Sequence, residues 1–264
     1  SGIFDTGERP ITIPPADLDG DGDLDLVVLN TIEVPSSANN TGDSFSVFFN
    51  DGNANFATPV NYTLNSGLNS ISTGDLDSDG DLDLAIVNRR TEDIFLLYND
   101  GEGNFNTSEA EILNNVAREP IRAALGDLNG DNNLDIIVNR FVGSGSGVYT
   151  YLNNGDGTFA QRVFYNTPSY PGGLINPIDF DLDGDLDIAI SHAVVFLGSE
   201  RTEGNKFTVL RNNGDGTFKE PLTIEVGNFP GSPVVADLDE DGDVDTVTSN
   251  GDDGTISVLK NEII

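Results

Sequence analysis

Residues 17–25 read DLDGDGDLD, placing five carboxylates at alternate positions of nine residues. Like charges so closely spaced repel one another unless a cation neutralises them. The pattern returns as DLDSDGDLD (75–83), DLNGDNNLD (127–135), DFDLDGDLD (179–187) and DLDEDGDVD (237–245), with starts 58, 52, 52 and 58 residues apart. More than half of the 45 acidic residues lie in these stretches, in a chain of net charge −33. The acidity is therefore local. Apolar, β-branched runs follow every stretch, which separates the chain from a disordered acidic tail.

This donor set suits calcium, which takes six to eight hard oxygens at about 2.3–2.6 Å in tolerant geometry. Side chains at the first, third and fifth positions would ligate: Asp17, Asp19 and Asp21; Asp75, Asp77 and Asp79; Asp127, Asn129 and Asp131; Asp179, Asp181 and Asp183; Asp237, Asp239 and Asp241. The seventh residues, Asp23, Asp81, Asn133, Asp185 and Asp243, would offer a backbone carbonyl. The ninth, Asp25, Asp83, Asp135, Asp187 and Asp245, would add a carboxylate. The sixth position must turn sharply. It is Gly22, Gly80, Gly184 and Gly242, and Asn132 in the third loop, the next most tolerant residue there. The expectation is up to five calcium ions, with the third loop the weakest site because it keeps the fewest charges. Magnesium demands tighter octahedral geometry, and soft metals want Cys or clustered His. An EF-hand would end on Glu at the twelfth position and lie between helices. These loops end on Asp at the ninth and enter strands.

A period in the fifties points to a repeat architecture. In the second repeat, NSISTG (69–74) enters the loop, LDLAIVN (82–88) leaves it, IFLLYN (94–99) follows, and a further extended segment runs to about Leu113. Helical periodicity is absent, and Gly and Asn punctuate at short intervals. Each unit reads as four strands, A to D, with the acidic loop joining A to B. The C–D turn also repeats: NDGNANF (50–56), NDGEGNF (99–105), NNGDGTF (153–159) and NNGDGTF (212–218), its Phe expected in the core. Four antiparallel strands repeated radially make an all-β, five-bladed β-propeller, a single domain over residues 1–264. The last repeat stops at strand C, and Gly2-Ile3-Phe4 matches the G-x-F that opens strand D, so the N-terminal segment is expected to close the ring. Long B–C loops at 31–45 and 192–206 account for the two larger spacings.

The D-x-D-x-D-G-x-x-D loops, the strands after them and the N-x-G-x-G-x-F turn together resemble the FG-GAP or VCBS-type calcium-binding repeats, which include the integrin α-subunit propeller and many bacterial surface proteins. The resemblance covers nearly the whole chain. It implies one calcium per loop, with ligands at the positions named above. It implies no single activity.

With alternating strand directions, the acidic loops and C–D turns share one face, and the B–C and D–A connections share the other. Arg89, Arg90, Arg118, Arg122 and Arg140 fall on that second face, with Arg9, Arg201 and Lys206. These are most of the 12 basic residues, so this face is the expected ligand surface, suited to anionic groups. Catalytic signals are thin. His192 is the single histidine, there is no Cys, and no nucleophile elbow surrounds the histidine. The absence of Trp leaves Tyr149, Tyr151, Tyr165 and Tyr170 as weak sugar-stacking substitutes. So negative a chain disfavours nucleic acid. No run approaches the roughly 18 apolar residues of a membrane span. The chain also has no methionine, as a processed or excised segment would. The sequence thus reads as a secreted or cell-surface, monomeric, non-catalytic binding or adhesion module for an extracellular protein or glycan. The alternatives are the propeller scaffold of a polysaccharide-acting enzyme, or a purely structural repeat array.

Overall fold

The computed structural model describes residues 3–7, 9–31, 43–64, 66–140, 146–168, 171, 175–192, 196–197, 200–201 and 204–261, with backbone alone at 176, 196–197 and 200–201. Among them there is no helix. The chain divides into two compact units, Ser1–Ala123 with Gly155–Thr158, and Ala124–Asn154 with Phe159–Ile264.

In the first unit, β1 (Pro10–Thr12), β2 (Pro15–Ala16), β3 (Asp25–Asn30), β4 (Ser44–Phe48) and β5 (Val60–Thr63) form one antiparallel sheet, ordered β1-β3-β4-β5 with β2 also on β3. Next come β6 (Leu68–Gly74), β7 (Asp83–Asn88), β8 (Asp93–Leu97) and β9 (Glu111–Leu113), paired in chain order. The second unit holds a sheet of β10 (Ala123–Gly126), β11 (Asp135–Arg140), β12 (Ser146–Tyr151) and β13 (Val163–Thr167). It also holds β14 (Ile175–Ile178) and β15 (Asp187–His192), a short pair β16 (Phe196–Leu197) and β17 (Glu200–Arg201), then β18 (Lys206–Leu210) and β19 (Leu222–Glu225). The last sheet is β20 (Val234–Ala236), β21 (Asp245–Asn250) and β22 (Thr255–Leu259).

Strands leaving the acidic loops are the most deeply buried. Every residue of β7 and of β15 is buried, and all but the last of β11. They lie inside their sheets with both faces covered, which is why LDLAIVN is apolar without alternation. The outer strands β5, β9, β13 and β19 are short and largely exposed. The first unit's core gathers Val27, Phe45, Ile71, Ile86 and Phe105. The second unit's gathers Leu128, Ile137, Ile175, Ile190 and Leu210 around β11 and β15.

The structure departs from the sequence reading in three places. The first repeat's A strand is split into β1 and β2, where Pro10, Pro14 and Pro15 remove backbone donors. Of the long loops, residues 32–42, 193–195, 198–199 and 202–203 lie outside the described residues. The ends of the expected spans belong to strands: Ser44 and Phe45 to β4, His192 to β15, Lys206 to β18, and β16 and β17 pair between the last two. Thirdly, the strand expected from the N-terminal segment is not formed over residues 3–7, and the last sheet has three strands. Phe4 instead packs edge-on against Phe48 and Phe56, with centroids 6.2 and 5.6 Å away. The Thr6 carbonyl accepts from Asn30 Nδ2 and Ser46 Oγ. Edge-on ring contacts and these bonds hold the segment on the first sheet.

Candidate functional site

Each acidic loop is tied down at its ninth residue. Asp25, Asp83, Asp135, Asp187 and Asp245 are fully buried. One oxygen of each accepts from the backbone N–H of the loop's second residue: Leu18 (3.1 Å), Leu76 (2.8 Å), Leu128 (2.8 Å), Phe180 (3.2 Å) and Leu238 (3.0 Å). The other accepts from the N–H of the asparagine that opens the C–D turn, Asn50, Asn99, Asn153 or Asn212, or of Asn261 in the equivalent place after β22, at 2.7–3.0 Å. The ninth carboxylate is therefore a buckle between loop and turn.

The asparagine then reaches the neighbouring repeat. Asn99 Nδ2 donates to the Leu18 carbonyl, Asn212 Nδ2 to Leu128 and Asn261 Nδ2 to Phe180, at 2.6–2.7 Å. The turn glycines need their bareness. A Cβ on Gly101 or Gly214 would meet the seventh-position carboxylates of Asp81 and Asp185, at 2.7 and 2.6 Å. A Cβ on the second glycine would strike the preceding repeat: Phe49 from Gly103, Tyr98 from Gly157 and Leu152 from Gly216. All five of these glycines also sit at positive φ.

At the front of the loops, carboxylates converge. Ligand atoms of Asp17, Asp19 and Asp25 lie within 4.8 Å of one another, as do those of Asp75, Asp77 and Asp83, of Asp179, Asp181 and Asp183, and of Asp237, Asp239 and Asp245. Two oxygens on opposite sides of one calcium ion would be about 4.8 Å apart. Several oxygens here are buried without a hydrogen-bond donor: Asp17 Oδ1, Asp77 Oδ1, Asp179 Oδ1, Asp181 Oδ1 and Asp243 Oδ1. A buried anionic oxygen without a partner is costly. The residues present thus fit the hard cation inferred from the sequence. The sixth residues turn at positive φ as expected: Gly22 at 93°, Gly80 at 99°, Gly184 at 97°, Gly242 at 102° and Asn132 at 67°. The fourth position is left-handed too, even as Ser78, Leu182 and Glu240, which the spacing alone did not reveal. In the fifth loop Lys260 Nζ pairs with Asp239 at 2.6 Å.

Burial pushes the Asp83 carboxyl up to about 7, and those of Asp135 and Asp187 to about 6, against the pull of their backbone donors. Asp25 is raised for the same reason. A carboxyl whose folded pKa exceeds its unfolded value takes up a proton on folding, so stability falls as pH rises through that interval. Asp51, Asp100, Asp156 and Asp215 are held low by hydrogen bonds within their turns and act oppositely, but only below about pH 4. In a chelator, the thermal midpoint is therefore expected to be higher at pH 5.5 than at pH 7.5. A midpoint that falls on acidification across this range would contradict the burial of these carboxyls.

The opposite ends of the first unit's sheets carry a cavity of about 650 Å³ whose lining includes Arg9, Arg89 and Arg90 beside Asp43, Glu92 and Glu119. Arg89 is already paired with Glu119 at 2.7 Å, and Arg90 donates to Ser66 Oγ. Asp43 accepts from the Gly67 and Leu68 N–H groups. The expected basic patch is here a mixed-charge cavity, because each arginine has its own partner. Arg118 and Arg122 are exposed and outside its lining. Arg140 lies in the other unit, with its guanidinium over the Phe164 ring. His192 is fully buried, its Nε2 2.7 Å from Thr208 Oγ1. Tyr149 packs on Phe164 and Arg162, Tyr151 is buried, and Tyr165 packs on Phe218. Tyr170 lies outside the described residues.

Four-stranded antiparallel sheets, each entered through a buckled acidic loop, define a β-repeat protein of the propeller-like class. The model of the FG-GAP-like repeat matches residues 17–86, 75–138 and 194–248, and the chain belongs to that family. No curated protein matches it. Among solved structures, the chain is similar to a lectin from Agrocybe aegerita, described by its specific recognition of non-reducing terminal N-acetylglucosamine. The TM-score is 0.56 at 19% identity over 96% of this chain and 66% of that one. It is also similar to the V. cholerae biofilm matrix protein Bap1, with a TM-score of 0.50 at 19% identity over 96% of this chain and 37% of that one. The chain thus spans less than two thirds of the length of either. At this identity the likeness shows the fold alone.

Proposed function

We propose that the chain is a calcium-stabilised, non-catalytic extracellular binding module of five repeats in one domain, whose ligand is a glycan. The carrying observation is the cavity on the side away from the acidic loops. It sets the Arg9, Arg89 and Arg90 donors beside the acceptors of Glu92 and Glu119. Hydroxyl groups both donate and accept, so a pattern of alternating donors and acceptors recognises a sugar ring. Arg90, exposed as Arg9 is and unlike the partly buried Arg89, would also meet a carboxylate on an acidic sugar. Arg118 and Arg122 would extend the ligand surface within this unit, and Arg140 would offer a separate contact on the other.

Calcium, when bound, supplies the positive charge that lets the loop carboxylates lie together. The first, third and ninth carboxylates would hold it in loops 1, 2 and 5, and the first, third and fifth in loop 4, with the remaining ligand positions of each loop beside them. The ninth aspartate passes the loop's position to the turn, and the turn asparagine passes it to the preceding repeat. The module would act outside the cell as a monomer, where free calcium is plentiful. Among the described residues, no helix is long and apolar enough to cross a membrane.

The test is a glycan array in millimolar calcium, with Arg89→Ala/Arg90→Ala and Glu92→Gln as controls. The expected result is binding reduced at least about tenfold by each variant, the scale of one or two lost charged hydrogen bonds, with unchanged melting. Wild-type binding that survives all three substitutions removes the cavity from the proposal.

A further inference from the structure

The third loop differs from the other four in how its oxygens are used. Asp127 Oδ1 accepts from the Gly130 and Asp131 N–H groups, and its Oδ2 from Asn132 at 2.8 Å. Asp131 Oδ1 accepts from Asn133 N–H, and its Oδ2 from the side-chain amide of Asn129 at 2.9 Å. Both oxygens of Asp135 are taken by Leu128 and Asn153. Every carboxylate oxygen of this loop therefore has a donor, whereas each of the other loops keeps at least one buried oxygen without any. The loop also forms no three-carboxylate cluster.

Asn129 makes the difference. Its amide orientation is fixed from both sides: Oδ1 accepts from the Asp131 N–H while Nδ2 donates to the Asp131 carboxylate. The donor therefore points where a third-position carboxylate would face a cation. Coverage is not the cause. The Gly216 turn packs over Asn129, as the Gly157 turn packs over Asp77 in the second loop.

We infer that the third loop is a metal-independent clip, closed by the Asn129 amide in place of an ion, so that the protein takes up four calcium ions across five loops. This rests on the calcium reading of the other loops. Asp127, Asp131 and Asp135 persist in the third loop because each holds backbone donors. As calcium falls, this clip should stay closed while the others loosen.

Native mass spectrometry of the full chain across a calcium titration counts the ions. Four support the inference, five overturn it, and none removes the calcium reading itself. Amide exchange locates them. The N–H groups of Gly22, Gly80 and Gly184, which donate to the first aspartate of their loops, should exchange at least about tenfold more slowly in calcium than in EGTA. The Asn132 N–H, which makes the same bond in the third loop, should not change. Slowing of Asn132 by calcium overturns the inference without any variant. Asn129→Asp should add one ion. If it folds and adds none, Asn129 is not the determinant.

Discussion

In excess EGTA the chain melts about 20 °C below its midpoint in calcium at a hundred times Kd. Each occupied loop stabilises the fold by about 2.7 kcal/mol at that ratio. For a chain of this size, 1 kcal/mol moves the midpoint by about 2 °C. Four clusters of converging carboxylates contribute. The unfolded chain holds no such clusters, so nothing on its side of the equilibrium offsets the gain. The cost of removing the ion falls on the buried, donorless oxygens of Asp17, Asp77, Asp179 and Asp181, which have no hydrogen-bond donor in its place. Calorimetry in the two buffers decides the matter. Coincident melting curves would end the calcium account. Magnesium at the same concentration should restore only a small part of the loss, because it holds its water and its octahedral geometry more strictly.

The second large effect concerns the same position of the turn motif in two repeats. Asn99→Leu removes the bonds from Nδ2 to the Leu18 and Leu82 carbonyls and leaves the Gly101 and Gly103 N–H groups without their acceptor. Stranding several buried polar groups costs about 1–3 kcal/mol apiece before relaxation, so a net loss of about 4 kcal/mol is expected. Asn50→Leu should cost less than about 1.5 kcal/mol. Asn50 Nδ2 donates to its own repeat's Leu24 at an exposed position, and its Oδ1 is already without a partner. Urea unfolding of the two variants in calcium measures both. Equal losses would mean that the bond to the neighbouring repeat contributes little.

That contrast marks what could be read from the sequence. The acidic loops, the buried strands after them and the all-β class were legible because each is a local pattern. DGDLD followed by LVVL needs no knowledge of the rest of the chain. The lower charge of the third loop was legible in its asparagines, but not the bond from the Asn129 amide to Asp131, since that amide could as well have offered its oxygen to a metal. The role of Asn99 was hidden because its partner carbonyl, on Leu18, is 81 residues away. Gly103 looked like a turn residue, which it is. That Phe49 also forbids it a side chain is a fact of packing. The N-terminal segment misled for the converse reason. Ile3-Phe4 matched a strand opening locally, while the ring of Phe4 found Phe48 and Phe56 instead.

The joint between repeats has a plug and a socket. The plug is the turn, with its asparagine and its bare second glycine; the socket is the carbonyl of the loop's second residue and the side chain before the neighbour's asparagine. The two sides are unlike, so the contact is heterologous, and no two-fold axis can run through it. Each such joint therefore sets successive repeats in the same sense. The first repeat has a blunted plug: Ala54, at φ 58°, stands where the second glycine would be. The fifth has an open socket. Leu238 is 51% exposed, where Leu18, Leu76, Leu128 and Phe180 are at most 3% exposed. Val234, Ile256 and Val258 stand bare beside it. The joint thus has a sense of direction, marked by a single methyl group on the plug side of the first repeat and a bare leucine on the socket side of the fifth.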